Sequence, residues 1–279
     1  MSYKFLRFPN FRKKALTLSY DDGVVHDKRL LEIMTANGIK GTFNINSGNF
    51  AKEEGALRMT KEQAYQLYTS YDCEVACHGE KHLSLSIVPT SQAVSDVIND
   101  RINLENMFGK IIRGMAYANG HYNDDAVDIL DKCGIVYSRT CITTEKFDIP
   151  TDWLRLPTTC HHKNPRLFEL LDEFLEDKQV KYYWANYNMP KLFYLWGHSY
   201  EFNNDDNWDI IEKFCEKAGG REDVWYATNI EIYDYVTAYD RLVFSAQGKS
   251  VYNPSSIDVY LDYFGKQVVA KAGKTVELE

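Results

Sequence analysis

Two adjacent carboxylates near the start of the chain, Asp21 and Asp22, have the residue type and spacing that acid–base or metal chemistry requires. They follow the apolar run 15–18, which predicts a buried strand, and Gly23 ends that strand. Because neighbouring buried carboxylates repel each other, such a pair needs a cation or a proton between them. A metal ion bound by one aspartate would leave the other as a base, whereas the alternative is an Asp-Gly turn with a solvated acid.

Two histidines, His78 and His82, follow a second apolar run at residues 73–77. Positions four apart lie on one face of a helical turn, so both imidazoles could bind one metal ion. Gly79 stands where zinc proteases of the H-E-x-x-H type have their glutamate, so this motif does not indicate a protease. A pair of surface histidines is the alternative when the motif is taken by itself.

The two motifs together predict an open metal site. One aspartate and two histidines are three ligands, whereas closed structural zinc sites use four, so one position is left for water. The second aspartate could take a proton from that water. His198, after the apolar run 192–196, could give a proton to the departing group, although a lone histidine more often has a structural role. Backbone N–H groups near Asn119 and Gly120 could hold an oxyanion, which completes the parts of metal-assisted amide or ester hydrolysis.

The candidate residues lie at the ends of predicted strands that alternate with helices. This alternation predicts a parallel sheet with helices outside, and its length favours a barrel whose chemistry sits at the carboxyl ends of the strands. We expect this α/β barrel to occupy residues 1–240 and a small strand-rich tail, residues 241–279, to pack on it. An irregular stretch separates the fifth and sixth strands. The seven predicted strands are at residues 15–18, 41–46, 73–77, 111–117, 135–138, 192–196 and 224–227.

Composition excludes several classes of protein. The net charge of −8 over 279 residues and the lack of a basic stripe argue against nucleic-acid binding. The chain has no run of about 18 apolar residues, so we expect no membrane span. Its six cysteines form no C-x-x-C pair and residues 1–14 lack an apolar leader core, so we expect a cytoplasmic protein with buried thiols. The oligomeric state is left open.

The motifs resemble those of the polysaccharide deacetylase family, the NodB-homology domain of carbohydrate esterase family 4, over about residues 14–235. S-Y-D-D-G at 19–23 is similar to the family's T-F-D-D-G, and H-G-E-K-H at 78–82 is similar to H-[S/T]-x-x-H. L-W-G-H at 195–198 is similar to the late L-x-x-H motif. The resemblance implies a distorted parallel (β/α)7-type barrel with the strand-rich tail as an appendage. It also implies roles for five residues: Asp21 as catalytic base, Asp22, His78 and His82 as metal ligands, and His198 as general acid.

Two positions depart from the family pattern. Gly79 replaces the usual serine or threonine, so a hydroxyl that would steady the histidine turn is missing. Ala116 stands where the family has an arginine that orients the base, while the resemblance implies Asn119 as the oxyanion donor through its backbone N–H. Three arginines could replace the missing one: Arg113, Arg139 and Arg155. We rank Arg155 first because it follows the next motif.

Asp152-Trp153 resembles the end of that next family motif, which closes with Asp-Trp. The resemblance implies that Asp152 tunes His198 and that Trp153 forms a wall of the substrate groove. The pair His161-His162 has no family role; it could line the groove, bind a second metal ion or serve packing. We expect four side chains to bind substrate: Tyr117, Trp153, Arg155 and Trp196.

The implied activity is removal of N-acetyl or O-acetyl groups from an acetylated oligo- or polysaccharide. The His/His/Asp ligand set suits Zn²⁺, although Co²⁺, Ni²⁺ and Mn²⁺ also remain candidates. A glycan-binding module that has lost catalysis is the main alternative, and Ala116 and Gly79 motivate it. A metal-dependent sugar isomerase or phosphoesterase is a weaker alternative, since such sites need further carboxylate ligands.

Overall fold

The central strand of the main sheet is β2 (Lys14–Asp21), which ends in the first aspartate of the pair. In this computed structural model, which describes residues 3–176 and 189–278, β2 is parallel to its neighbours. The other strands of this sheet are β3 (Gly41–Ile45), β4 (Glu74–Cys77), β5 (Gly114–Ala116), β6 (Tyr137–Thr143), β7 (Leu156–Thr158), β8 (Cys160–His161), β9 (Lys191–Gly197) and β10 (Val224–Tyr226).

The sheet closes into a distorted parallel barrel. Its strand order is β7-β6-β5-β4-β3-β2-β9-β8, and the first and last strands of this order are consecutive parts of the segment 156–161. Thr159, between them, donates its backbone N–H to Tyr194 of β9 at 3.0 Å, which joins the last strand to the ring. The predicted α/β barrel fold is confirmed.

The segment 156–161 is the main difference from the expected strands, because it was predicted to be irregular. Pro157 interrupts its pattern, and the register shifts between Arg139 and Thr143 of β6 where this segment pairs. The predicted seventh strand exists as β10, but it pairs beside the amino-terminal half of β2, with Val224 opposite Lys14.

The strands β2, β3 and β5 are buried on both faces, as expected of parallel strands covered by helices. In β2, Leu16 and Leu18 pack into the hydrophobic core with the helices, while Ser19 and Asp21 hydrogen-bond to Asn44 across the sheet. Alternation therefore sends apolar side chains outward to the helices and polar side chains inward. The helices are α1 (Asp27–Ala36), α2 (Lys61–Thr69), α3 (Thr90–Phe108), α4 (Asp124–Lys132), α5 (Leu167–Leu175), α6 (Ser199–Asn204), α7 (Asp209–Ala218) and α8 (Asn229–Asp240).

The tail forms two small antiparallel sheets, one of which includes a strand from the start of the chain. β1 (Leu6–Arg7) pairs with β13 (Val259–Tyr263), so the division at residue 240 stays a prediction. The Tyr235 hydroxyl of α8 donates to the Arg7 carbonyl at 2.7 Å and accepts from the Tyr260 N–H at 2.9 Å. The tail strands are β11 (Val243–Phe244), β12 (Ser250–Tyr252), β13 (Val259–Tyr263), β14 (Lys266–Ala270) and β15 (Thr275–Glu277). Within the described residues, no helix has both the length and the apolar character needed to cross a bilayer.

Candidate active site

The three predicted metal ligands, Asp22, His78 and His82, converge at the carboxyl ends of β2 and β4. One potential ligand atom from each lies within 4.8 Å of the others, and His82 Nε2 is 3.8 Å from Asp22 Oδ1. The two histidines lie on a turn rather than on the expected helix: His82 has a φ of +59° and its N–H reaches the Gly79 carbonyl at 3.4 Å. The turn nevertheless brings both imidazoles to the same point, with ring centroids 4.8 Å apart.

Hydrogen bonding leaves the ring of His78 ready to bind a cation. Its Nδ1 is 2.8 Å from the Ala116 carbonyl, so Nδ1 carries the proton and Nε2 keeps a lone pair. Burial lowers the pKa of His78 and keeps the imidazole neutral. Zinc accepts two imidazole nitrogens and one carboxylate as ligands, and it then has room for a fourth ligand. The residues present therefore fit a divalent metal ion.

Two carboxylates of α3 hold the histidine turn. Asp100 accepts the His78 N–H at 2.9 Å, and Asp96 accepts the Lys81 N–H at 2.7 Å. Gly79 has a φ of +81°, and a Cβ there would lie 2.3 Å from Asp96 Oδ2. The carboxylate of Asp96 thus occupies the space that a serine or threonine side chain would need, and it steadies the turn in place of the missing hydroxyl. The four-residue spacing of the two aspartates on one long helix was the available sequence signal.

Asp21, the predicted base, lies between the metal ligands and the predicted acid. Its Oδ2 is 3.8 Å from His78 Nε2 and 3.9 Å from His198 Nε2, and its Oδ1 accepts from Asn44 at 2.8 Å. Burial would raise the pKa of Asp21, but the charges of Arg139, His78 and His198 and the Asn44 hydrogen bond lower it to about 2. The carboxylate is therefore ionised at neutral pH.

The arginine that contacts the base is Arg139, not Arg155. Arg139 hydrogen-bonds to Asp21 Oδ2, is 1 % exposed, and lies over the Trp196 ring at 4.2 Å from the centroid. In the sheet it is the register partner of Ala116, so the guanidinium comes from the next strand at the same level.

The other two candidate arginines bind elsewhere on the protein. Arg155 pairs with Asp152 at 2.9 Å and with Asp124 at 2.5 Å, and Arg113 pairs with Asp234 at 2.7 Å. None of these three ion pairs includes Asp21, Asp22, His78, His82 or His198. The expectation that Arg155 replaces the family arginine is therefore corrected.

The carboxylate that orients His198 is Glu201, not Asp152. His198 Nδ1 is 3.1 Å from Glu201 Oε2, and the His198 backbone N–H donates to the same oxygen at 3.2 Å. Asp152 instead caps a 3-10 turn and accepts from the backbone and side chain of Arg155. Burial lowers the pKa of His198, but the Glu201 hydrogen bond and the charges of the two aspartates raise it above its usual value. Glu201 follows His198 by three residues, which was the sequence signal for this contact.

The pair His161-His162 lies beside Glu201. His161 Nε2 is 3.2 Å and His162 Nε2 is 3.4 Å from Glu201 Oε2, and Lys163 Nζ is 3.0 Å from Oε1. These atoms are close enough for a second metal ion. However, His161 Nδ1 accepts from the Lys163 backbone N–H at 3.1 Å, so its proton lies on Nε2, which faces the carboxylate as a donor. This tautomer makes His161 a hydrogen-bond donor to Glu201, whereas both buried ring nitrogens of His162 lack a hydrogen-bond partner among the described residues.

Replacing Glu201 by glutamine is expected to lower the pKa of His198, because the anionic hydrogen-bond partner that raises it is removed. The predicted role of His198 as general acid requires a protonated ring, so this prediction places the start of the alkaline fall of kcat/KM at lower pH in Glu201→Gln. The matched control is Asp152→Asn, for which the pH profile should coincide with that of the wild-type protein. A shift in the Asp152 variant and none in the Glu201 variant would contradict the geometry.

Two predicted groove residues are not available to a substrate. Tyr117 is 1 % exposed and its hydroxyl donates to the Leu154 carbonyl at 2.8 Å, because it faces away from the barrel interior. Trp153 packs edge-on against Tyr233 of α8, with centroids 5.2 Å apart. The first residues of α8 contact the starts of β3 and β4, so Trp153 lies towards the end of the barrel opposite the metal ligands.

Trp196 and Asn119 do lie around the site. Trp196 is 8 % exposed, so most of its ring supports Arg139 rather than forming open groove surface. Asn119 has a φ of +57° in the turn after β5, and its side chain donates to Ser84 Oγ at 3.0 Å, beyond the histidine turn. Its backbone role as oxyanion donor stays a prediction.

Comparison with solved structures shows which proteins share this fold. A protein from Mycobacterium smegmatis assigned to the polysaccharide deacetylases aligns with a TM-score of 0.60 and 15% identity over 86% of this chain and 96% of its own. The Xyl-CE4 domain of a multidomain xylanase from the hindgut metagenome of Trinervitermes trinervoides aligns with a TM-score of 0.53 and 13% identity, over 81% and 92% of the two chains. A mutant of a CE4-family pseudoenzyme with restored enzymatic activity aligns with a TM-score of 0.52 and 16% identity, over 81% and 68%.

No curated protein sequence matches the chain. The polysaccharide deacetylase family model matches residues 9–138, a range that contains both aspartates of the pair and both histidines of the turn. The chain is therefore similar to the polysaccharide deacetylase family over the part that carries the aspartate pair and the histidine turn, and it shares the barrel fold of the solved structures.

Proposed function

We propose that this protein is a metal-dependent carbohydrate deacetylase that hydrolyses N-acetyl or O-acetyl groups. The observation that carries the proposal is the convergence of five polar side chains at one rim of the barrel. Asp22, His78 and His82 can bind one cation, and Asp21 lies between His78 and His198 at 3.8 and 3.9 Å. A base, an acid and an open ligand set in one place are the parts that acyl transfer to water requires.

Asp22, His78 and His82 would hold the metal ion, for which Zn²⁺ is our first choice because of the mixed nitrogen and oxygen donors. When bound, a divalent cation supplies Lewis-acid chemistry: it polarises the acetyl carbonyl and makes water a stronger nucleophile. The fixed tautomer of His78 and the turn contacts from Asp96 and Asp100 pre-organise the ligands for this task.

The remaining steps use the chain's own side chains. Asp21, ionised because Arg139 and its other partners lower its pKa, takes a proton from the attacking water as the new C–O bond forms. The backbone N–H of Asn119 would stabilise the negative oxygen that develops on the acetyl carbon. His198, held by Glu201, donates a proton to the sugar nitrogen or oxygen as its bond to the acetyl carbon breaks. The products are acetate and the free amine or hydroxyl of the sugar.

A glycan-binding module without catalysis is the second candidate. Ala116 at the usual arginine position favours it, and a relative of similar fold is a CE4-family pseudoenzyme. The buried Arg139, which supplies a guanidinium to Asp21 from the neighbouring strand, supports the enzyme over this alternative. Asp96 and Arg139 thus stand in for the two groups that Gly79 and Ala116 lack.

The experiment that tests the proposal measures acetate release from acetylated chito-oligosaccharides and from acetylated xylan. Protein stripped with a chelator should release no acetate, and activity should return when Zn²⁺ or Co²⁺ is added. Preference between the two substrates would distinguish N- from O-deacetylation. Sugar binding without acetate release at any metal concentration would support the binding module instead.

A further inference from the structure

Arg58 makes three hydrogen bonds beside the proposed metal ligand Asp22, two to Asp22 itself and one to Asn46. Its Nη2 donates to Asp22 Oδ1 at 2.8 Å, and its Nη1 donates to the Asp22 carbonyl and, at 2.8 Å, to Asn46 Oδ1. One planar guanidinium thus fixes both the main chain and the side chain of the same ligand. A lysine ammonium has no such fork, so the contact depends on arginine geometry.

Asn46 extends this contact to the other ligand-bearing turn. Its amide nitrogen donates to the carbonyls of His78 and Gly79 at 2.7 and 2.9 Å. Arg58 and Asn46 together therefore connect the turn after β2 to the turn after β4. We call this pair the ligand strap.

Both turns that the ligand strap connects have a backbone that needs external support. Asp22 has a φ of +89° and His82 a φ of +59°, a backbone region that residues with a side chain adopt only at an energetic cost. Such conformations persist where surrounding contacts impose them. Arg58 supplies this restraint at Asp22, because its bond to the Asp22 carbonyl fixes the peptide that follows the strained φ.

Arg58 leaves lone pairs of the Asp22 carboxylate available for metal binding. An ionised aspartate has about four lone-pair directions, and Arg58 takes one of them on Oδ1. A cation can still bind the remaining directions, as zinc ligands commonly do while they hydrogen-bond to outer groups. The positive charge of Arg58 disfavours a metal cation nearby. The same guanidinium, however, fixes the orientation of the Asp22 carboxylate, so metal binding does not have to order that side chain.

We propose that Arg58, acting with Asn46, is a positioning residue that holds Asp22 and the histidine turn in the metal-binding arrangement. The inference rests on the proposed function, because it concerns the same metal ion. It makes Arg58 a determinant of metal affinity, although Arg58 lies outside every motif identified in the sequence. The expected effect of its loss is about 10- to 100-fold weaker metal binding, the range typical for outer-shell partners of metal ligands.

The test compares Arg58→Ala and Arg58→Lys with Arg29→Ala. Arg29 of α1 also pairs with a carboxylate, Glu212 at 2.9 Å, but outside the site, so it controls for loss of an arginine ion pair. The dissociation constants of Zn²⁺ and Co²⁺ are measured by competition with a chelating dye, and visible absorption of the Co²⁺-loaded protein reports ligand geometry. Arg58→Ala should bind 10- to 100-fold more weakly with an altered Co²⁺ spectrum, Arg58→Lys should recover at most part of the affinity, and Arg29→Ala should match the wild type.

The outcomes separate this inference from the proposed function. Wild-type protein that binds neither Zn²⁺ nor Co²⁺ would overturn both. Wild-type binding with unchanged affinity and spectrum in Arg58→Ala would overturn only the role of Arg58. If Arg58→Ala does not fold, as judged by circular dichroism, Arg58→Lys decides, because it keeps the charge and most of the stem while losing the fork; wild-type affinity in that variant would contradict the inference.

Discussion

Asp21→Asn is expected to reduce acetate release by about 10²- to 10⁴-fold, the contribution of a positioned general base. Asparagine keeps the size of the side chain and can still accept from Arg139 or Asn44, but it cannot take a proton from water. Metal affinity should change little, because the ligand set is Asp22 with the two histidines. Turnover is measured with metal at saturation, so that any change in affinity does not enter the result.

The control for Asp21→Asn is Asp124→Asn, the same chemical change at a carboxylate that pairs with Arg155 outside the site. This control should keep wild-type turnover. If Asp21→Asn retained turnover within a few-fold of wild type, another group would be the base, and the assignment of Asp21 would be wrong.

Arg139→Met is expected to have the largest effect on stability, a loss of about 3–5 kcal/mol in the free energy of unfolding. Both partners of the Arg139–Asp21 pair are almost fully buried, so removal of the guanidinium leaves a buried carboxylate without its main cation. Arg155→Met, which breaks an exposed pair, should change stability little. Urea unfolding at neutral pH measures both variants.

The pH dependence of stability provides an independent measurement on Arg139→Met. In the wild-type protein the pKa of Asp21 is lowered to about 2 on folding, so this group's stabilisation is present above its unfolded pKa and is lost as pH falls from about 4 to about 2. Without Arg139 the pKa of Asp21 rises, and this part of the acid-induced loss should shrink. Equal stability of Arg139→Met and the wild-type protein at neutral pH would show that Arg139 is not an essential partner of Asp21.

The chemistry of the site was predictable from sequence because its reactive groups are adjacent to strands. Asp21 and Asp22 end β2, and His78 follows β4, so apolar runs of the sequence already indicated where each side chain emerges. In a parallel barrel these ends meet at one rim, which made their convergence an expectation before any coordinates. His198 followed from the same argument at the end of β9.

The outer groups that support these residues were not predictable in this way. Arg139 reaches Asp21 because β5 and β6 are paired with Ala116 opposite Arg139, and register is not visible in a single sequence. Asp96 supports the histidine turn from the first half of α3, 15 residues after Lys81, whose backbone N–H it accepts. The family motifs pointed to particular positions, whereas the folded barrel lets a neighbouring strand or helix supply the same functional group.

Two of the predicted groove residues, Tyr117 and Trp153, lie away from the site for a simpler reason. Tyr117 directly follows Ala116, whose carbonyl binds His78, and the alternation after β5 turns the tyrosine ring outward into the helix layer. Trp153 follows a motif match that placed it near His198, but the segment before β7 runs along β6 and packs on α8. Sequence gives the type of such a side chain, while the direction in which it points depends on the exact start of the strand.

The central claim is that Asp22, His78 and His82 bind one divalent metal ion. The most direct measurement is anomalous scattering at the zinc edge from crystals of the protein grown with Zn²⁺. We predict a single strong anomalous peak, from one zinc ion within coordination distance of the Asp22 carboxylate, His78 Nε2 and His82 Nε2. A protein saturated with zinc that shows no peak at these residues, or whose peak lies instead among His161, His162 and Glu201, would contradict it.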